Sequence, residues 1–261
     1  MNNKIVVFTD SSLLNITISF LKNNVIGLVG ASIRPDSHSI IKKTANSLKI
    51  PFLIQPKAGT KEYEDFIKKL RKINPDIFFI NSFSMILKKD LLEIPNNGIL
   101  NIHTSLLPKN RGPNPIQWGI INGDKFAGVT LHEVDDGIDT GPIIDQVKTK
   151  INFDDTWVTL SDKILILINK LLKQNIENIL NNNWISKPQN EAIATKNFRL
   201  NSKFPKINFS SMNDIQIYNL IRAQVKPLNG AYLEKKNEKI FFPNILKIKE
   251  IKKLRNTHEK K

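Results

Sequence analysis

Residues 4–30 read KIVVFTDSSLLNITISFLKNNVIGLVG. Two β-branched runs, Lys4 to Phe8 and Val25 to Val29, flank an interval from Leu13 to Asn23 whose apolar residues recur at helical spacing. Strand, helix and strand in that order form a βαβ unit, which pairs its strands in parallel because the crossover returns the chain to the same end of the sheet. The pattern continues through the first hundred residues. Phe52 to Ile54, Asp76 to Ile80 and Ile99 to His103 read as further strands. Ser39 to Leu48 and Lys61 to Asn74 read as helices, the second headed by Thr60 as N-cap. The fold class is α/β, with a doubly wound, mainly parallel sheet. Ligands of such sheets bind beyond the carboxyl ends of the strands, so the loops after Ile80 and Ile102 are where chemistry is expected.

Further along, Pro142 to Ile151 reads as a strand and Thr159 to Leu180 as a long helix with Asp155 or Thr156 near its start. The polar stretch from Lys187 to Lys206, with Pro188 and Pro205, suggests a linker. Beyond it lie one helix, about Met212 to Gln224, a turn from Lys226 to Gly230, two strand-like runs and a basic tail. The expected division is a catalytic domain over residues 1–200 and a small α+β C-terminal subdomain over 201–261. The tail from Lys247 to Lys261 carries seven Lys and Arg against two Glu and reads as a solvated end.

With 261 residues and 40% hydrophobic content, the chain can bury a substantial core. It contains 39 Lys and Arg against 24 Asp and Glu, a net charge of +15, which favours polyanionic partners or reflects a composition rich in Asn, Ile and Lys throughout. The absence of cysteine excludes disulfides, thiolate catalysis and cysteine-based zinc sites. The four histidines leave little for any other metal site, and none is expected. The start MNNKIVVFTDSS has no signal-peptide pattern, which points to the cytoplasm. The longest apolar run, ILILI at residues 164–168, falls far short of the about 20 residues that span a bilayer.

The architecture is Rossmann-like, yet no GxGxxG follows the first strand and no GxxxxGK[ST] occurs, which argues against a dinucleotide cofactor and P-loop phosphoryl transfer. Seven of the 11 glycines and four of the 13 prolines fall between Gly98 and Pro142, as in a binding loop with tight turns. Asn101 and His103 are two apart on a strand end and project to the same side. A carboxamide can donate to an oxyanion, and an imidazole can exchange a proton near neutral pH. A carboxylate in the turn Asp135 to Gly141 could fold back and orient the imidazole ring. Taken alone, such Asn–His pairs are more often structural than catalytic.

The surrounding pattern decides between these readings. NIHTSLLPKNRGPNPIQWGIINGD at 101–124, followed by GVTLHEVDDGIDTGPII at 128–144, closely resembles the signature of the folate-dependent formyltransferase family. The resemblance is weaker through the N-terminal sheet and fades beyond about Leu200. It implies that Asn101, His103 and Asp139 are the catalytic trio moving a formyl group from 10-formyltetrahydrofolate to an amine. In that scheme Asn101 and protonated His103 stabilise the oxyanion, while Asp139 holds the imidazole. It also implies that the segment Asn81 to Leu87 contacts the pterin through backbone amides and apolar walls, with Ser82, Phe83, Met85, Ile86 and Leu87 as candidates. Lys88 stands where many relatives have proline, and Phe83, Met85 and Ile86 also read as plain core residues. Val134, Asp136 and Gly137 would close the other side of the folate pocket. Ser105, Arg111, Gly112 and Pro113 are the candidate substrate-binding residues, Arg111 suiting equally a phosphate or a loop-fixing ion pair. His132 reads as a structural hydrogen bonder, His38 as solvated and Trp118 as core.

Three acceptor classes occur among relatives. Purine-pathway transformylases resemble the Asp139 to Ile144 stretch but lack the Arg-Gly-Pro-x-Pro-x-x-Trp pattern found at Arg111 to Trp118. Initiator-tRNA formyltransferases share that pattern, and +15 would suit RNA. Their acceptor-stem insertion is much longer than the loop GASIRPDSHS at 30–39, and about sixty residues follow Lys203 where they carry a larger RNA-contacting domain. Nucleotide-sugar N-formyltransferases combine the same core with reduced C-terminal parts. The resemblance therefore implies a dTDP-4-amino-4,6-dideoxyhexose acceptor, with the glucose form as the expected sugar, destined for a surface polysaccharide such as the O-antigen of lipopolysaccharide. It further implies a homodimer without membrane association. The alternatives are a methionyl-tRNA formyltransferase and a non-enzymatic, basic nucleic-acid-binding protein on the same scaffold.

Overall fold

The computed structural model describes residues 3–11, 13–201, 204–235 and 238–259. The chain forms two compact units, each assembled from separate stretches of sequence. The first takes residues 1–103, 129–147 and 168–191; the second takes 104–128, 148–167 and 192–261.

In chain order the first elements are β1 (Ile5–Thr9), α1 (Leu14–Leu21), β2 (Val25–Ala31), α2 (His38–Leu48), β3 (Phe52–Gln55), α3 (Lys61–Ile73), β4 (Ile77–Asn81), α4 (Lys89–Leu92) and β5 (Ile99–His103). After α5 (Pro115–Ile121) come β6 (Phe126–Glu133), β7 (Ile143–Lys150) and α6 (Trp157–Leu180). The seven-stranded sheet has the order β3-β2-β1-β4-β5-β6-β7. Its pairs from β3 to β5 are parallel, and β6 runs antiparallel to β5. This is the doubly wound α/β fold read from the sequence. Every residue of β1 and β4 is buried, as both faces of such a strand must be when helices cover each side.

The helix α3 shows how the local sequence sets this packing. Thr60 caps it by accepting from the Tyr63 amide at 3.3 Å, and Asn74 ends it in the left-handed region with φ 53°. Its buried Tyr63, Phe66 and Leu70 form one stripe at spacings of three and four. That stripe packs in one core cluster with Val6 and Phe8 of β1 and Phe78 and Ile80 of β4, alternate residues that share a face of the sheet.

The strand order reverses between β1 and β4, and a buried carboxylate ties the strand ends together there. Asp10 accepts from the Ala31 amide at 2.8 Å and the Ser84 amide at 2.7 Å, while its own amide donates to the Ser82 carbonyl at 3.0 Å. Three strand ends, those of β1, β2 and β4, are thus fixed by one side chain at the switch point where such sheets bind ligands.

In the second unit, α7 (Asp214–Arg222) starts at a full capping box in which Asn213 and Gln216 bond reciprocally. Its buried Ile217, Leu220 and Ile221 pack with Ile207, Phe209 and Ile251. The hairpin of β8 (Ala231–Lys235) and β9 (Glu238–Phe242) is antiparallel. The basic tail departs from its reading as a solvated end. It forms α8 (Ile248–Glu259), in which Ile251 is fully buried and Arg255 donates to Asp214 and to the Phe209 and Met212 carbonyls. The cause is an apolar position inside a lysine-rich helix, which anchors one face while the charges stay in water. Lys260 and Lys261 lie outside the described residues. Among the described residues, no helix is long and apolar enough to cross a membrane.

Replacing Asp10 by Ala leaves the Ala31 and Ser84 amides without their acceptor, at about 1–3 kcal/mol for each unsatisfied group. Asp10→Ala should therefore lower the free energy of unfolding measured with urea by at least that amount, and Asp10→Asn by less. Equal stability of Asp10→Ala and the parent chain would contradict this account of the strand ends.

Candidate active site

The antiparallel pairing of β5 with β6 sets Asn101 directly opposite His132. Their side chains meet across the pair, with Asn101 Nδ2 3.0 Å from His132 Nε2. His132 Nδ1 lies 2.6 Å from the Glu133 carbonyl, which can only accept, so the proton of the neutral ring sits on Nδ1 and Nε2 accepts from the amide. His103 lies two residues beyond Asn101 on β5, as strand periodicity requires for a shared side.

Asp139 reaches this end of the sheet from the turn between β6 and β7. It adopts φ 54°, a left-handed conformation that aspartate tolerates better than most residues. Its carboxylate lies 3.6 Å from His103 Nδ1, 3.8 Å from His132 Nε2 and 3.5 Å from Asn101 Nδ2. The turn is held in three ways. Asp135 Oδ1 accepts from the Thr140 hydroxyl at 2.6 Å and the Gly137 amide at 3.1 Å. Gln189 Nε2 donates to the Asp139 and Gly141 carbonyls at 2.8 and 2.7 Å. Gly141 abuts the Glu133 carbonyl so closely that any Cβ would overlap it.

The two histidines differ in burial: His132 is 1% exposed and His103 8%. Burial pushes the pKa of His132 down to about 4; the neighbouring His103 adds to this, and the Asp139 carboxylate opposes it. The reading of His132 as a structural hydrogen bonder agrees with these contacts, and the ring belongs to the same network as Asn101, His103 and Asp139.

The segment after β4 is fixed from behind by Asp10. Ser82 has φ 58°, Phe83 stands edge-on to Phe8 at 5.4 Å, and Phe83 and Leu87 pack on the core, as does Val134. Met85 Sδ accepts from the Ser32 hydroxyl at 3.7 Å. Ile86 is 61% exposed, and its carbonyl accepts from Gln55 Nε2 at 3.4 Å. Exposed Asp136, Gly137 and Ile138 line the outer part of the turn. This end of the sheet thus presents uncovered apolar side chains beside backbone polar groups, the character a flat heteroaromatic ring system requires. His38 departs from its solvated reading: it begins α2, and Nε2 lies 2.8 Å from the Ala31 carbonyl, because the loop after β2 is short enough to fold the ring back.

The second unit holds the four substrate-binding candidates. Ser105 Oγ donates to the Lys109 carbonyl at 2.7 Å. Arg111 is buried, and its backbone pairs with Thr195 and Asn197. Gly112 has φ 89°, and a Cβ there would lie 2.8 Å from the Asn197 carbonyl, so this close pairing requires glycine. Pro113 is half-buried. The stretch expected as a linker is therefore stitched to structured chain at Thr195 to Asn197. Trp118 is core as expected, donating to the Phe198 carbonyl at 2.9 Å. A cavity of about 510 Å³ in this unit is lined by Ser105, Lys109, Asn110, Asp124, Lys125 and Phe126 among others. Among the described residues no group of three His, Cys, Asp or Glu side chains is placed to hold a metal ion.

Asp10 and Gln189 were not singled out in the sequence. Asp10 sits beside Ser11 and Ser12 and looks like a helix cap, and Gln189 lies in a polar stretch far from the motif it supports.

A doubly wound sheet with an Asn, a His and a returning Asp at one strand end defines a group-transfer fold of the formyltransferase kind. The family described as formyl transferase matches residues 3–176, and the chain belongs to it. Among curated relatives, the methionyl-tRNA formyltransferase of Thermodesulfovibrio yellowstonii is 39% identical over 200 residues, covering 77% of this chain and 63% of its own length. The chain thus spans about three-fifths of that relative. Among solved structures, the N-formyltransferase of Helicobacter canadensis in complex with folinic acid and dTDP-3-aminofucose is 27% identical, with a TM-score of 0.71 over 91% of this chain and 86% of that one. A sugar N-formyltransferase from a Shewanella species, 20% identical, shares the fold with a TM-score of 0.76 over 93% of this chain and 97% of its own.

The depressed pKa of His132 carries a sign. Between its ordinary value near 6.5 and about 4, the unfolded chain binds a proton that the folded site refuses, so this ring's contribution to stability is lost as pH falls through that window. Urea unfolding should show a steeper loss of stability over this range in the parent than in His132→Phe. Parallel curves would contradict the burial argument.

Proposed function

We propose that this chain transfers a formyl group from 10-formyltetrahydrofolate to the amino group of a nucleotide-linked deoxyamino sugar. The observation that carries the chemistry is the Asp139 carboxylate, within 3.6 Å of both His103 and the Asn101 amide at one strand end. When bound, the folate supplies an electrophilic formyl carbon. Asn101 directs an N–H at the formyl oxygen, where negative charge develops as the amine attacks. His103 takes the proton the amine must lose and passes it to the folate nitrogen as the formyl C–N bond to the donor breaks, while Asp139 orients its ring and balances the charge it acquires. The segment Ser82 to Leu87, with Val134, Asp136 and Gly137, is the proposed folate wall; Ile86 is its exposed apolar side chain.

The acceptor reading draws on the structural likeness to the sugar-nucleotide enzyme, which takes in most of both chains. Ser105, Arg111, Gly112 and Pro113 remain the proposed acceptor-binding residues, and Lys109 and Lys125 of the cavity that Ser105 lines have the charge for a diphosphate. We take the sugar to be a dTDP-4-amino-4,6-dideoxyhexose used in a lipopolysaccharide-type surface polysaccharide, and the enzyme to be a cytoplasmic dimer. The identity to methionyl-tRNA formyltransferases favours initiator tRNA as a second reading.

Asn101→Ala should reduce turnover by about 10²- to 10³-fold, the cost of one preorganised oxyanion donor, and His103→Ala by at least as much. These rates are to be measured at saturating folate and amine. Near-normal turnover in His103→Ala would remove the mechanism. A sugar-nucleotide acceptor should also show a shallow dependence of KM on salt, whereas tRNA binding weakens steeply through counterion release.

A further inference from the structure

We propose that His132 is a positioning residue: as a fixed hydrogen-bond acceptor it turns the Asn101 carboxamide so that its nitrogen, with one N–H uncommitted to the ring, serves the formyl oxygen. The inference deepens the formyl-transfer reading and rests on it. A carboxamide has two ends of nearly equal size, and only its surroundings choose between them. Here the choice is forced. The hydrogen on His132 Nδ1 is spent on the Glu133 carbonyl at 2.6 Å, so Nε2 offers a lone pair to Asn101 at 3.0 Å. The same end of the amide lies 3.5 Å from an oxygen of Asp139. With the amide reversed, its oxygen would face that lone pair and that carboxylate, three acceptors with no proton among them. With the nitrogen there, one N–H goes to His132, and the other, held only by the long 3.5 Å contact with Asp139, is the one that turns to the formyl oxygen.

Protonated His132 would undo this, because an Nε2–H would meet the amide N–H and favour the reversed carboxamide. The groups that face the ring are His103 from β5 and Asp139 and Asp135 from the turn, with Glu133 next to it on β6. Glu133 keeps its carboxylate on the Trp184 indole N–H at 3.0 Å. Burial outweighs the carboxylates, and the ring stays neutral through the working range. Of two histidines at similar distances from one carboxylate, His132 is the acceptor and His103, the more exposed ring, is left to move the proton.

Two variants separate positioning from packing. His132→Phe fills the space without an acceptor, whereas the His132→Gln carbonyl oxygen can stand where Nε2 stands. His132→Phe should lower kcat by about 10- to 100-fold, as for a modest misplacement of a catalytic group, with KM for folate and acceptor changed by less than about threefold. His132→Gln should recover most of that loss. Independently of any substrate, nitrogen NMR of the unmodified protein should show His132 as the Nδ1–H tautomer from about pH 5.5 to 8. An unchanged kcat in His132→Phe, a His132→Gln no better than His132→Phe, or an Nε2–H tautomer would each overturn the proposal. If no amine is formylated at all, the functional reading fails, and the tautomer alone decides the role of His132. It decides equally if the variants do not fold.

Discussion

Asp139 meets the imidazole of His103 because the chain doubles back on itself directly after β6, and that return is possible only where Gly141 lies against the Glu133 carbonyl. The turn is a small structure with its own supports: an acceptor in Asp135, a hydroxyl in Thr140 and a clamp in Gln189 that grips two of its carbonyls. A carboxylate in such a place is held by backbone bonds, so its own oxygens stay turned to the two rings and the amide. The position of the charge is therefore set before any substrate arrives, which is the condition for electrostatic catalysis.

The β5–β6 pairing supplies the other half. Because residues directly opposite in an antiparallel pair lie close together, Asn101 and His132 need no special loop to meet. Burial keeps the His132 ring neutral, and its Nδ1 contact with the Glu133 carbonyl leaves Nε2 as the acceptor for Asn101.

How much of this was legible in sequence follows the range of the interactions. The strands and the helices between them were readable because periodicity is local, and Asn101 and His103 were readable as a pair because two-residue spacing fixes a shared side. Asp139 was found through the motif around it. Asp10 and Gln189 were missed because their partners lie 21, 74, 50 and 48 residues away, and nothing near them in sequence marks the contact. Arg111 and Gly112 show the converse. A charge beside a glycine suggested a ligand, and nothing in that pattern reveals that the Arg111 backbone pairs with Thr195 and Asn197 while Gly112 lies against the Asn197 carbonyl. The lysine-rich tail read as a solvated end because charge dominates its composition, while Ile251 and Arg255 fix one face of it.

The net charge of +15 is compatible with either a diphosphate or an RNA acceptor, and the chemistry proposed for Asn101, His103 and Asp139 calls only for an amine. The central claim is therefore tested most directly by giving purified protein 10-formyltetrahydrofolate with dTDP-4-amino-4,6-dideoxyglucose in one reaction and aminoacylated initiator tRNA in another, and weighing the products by mass spectrometry. The account predicts a nucleotide sugar heavier by one formyl group and unmodified aminoacyl-tRNA. Efficient formylation of the tRNA with none of the sugar would contradict it.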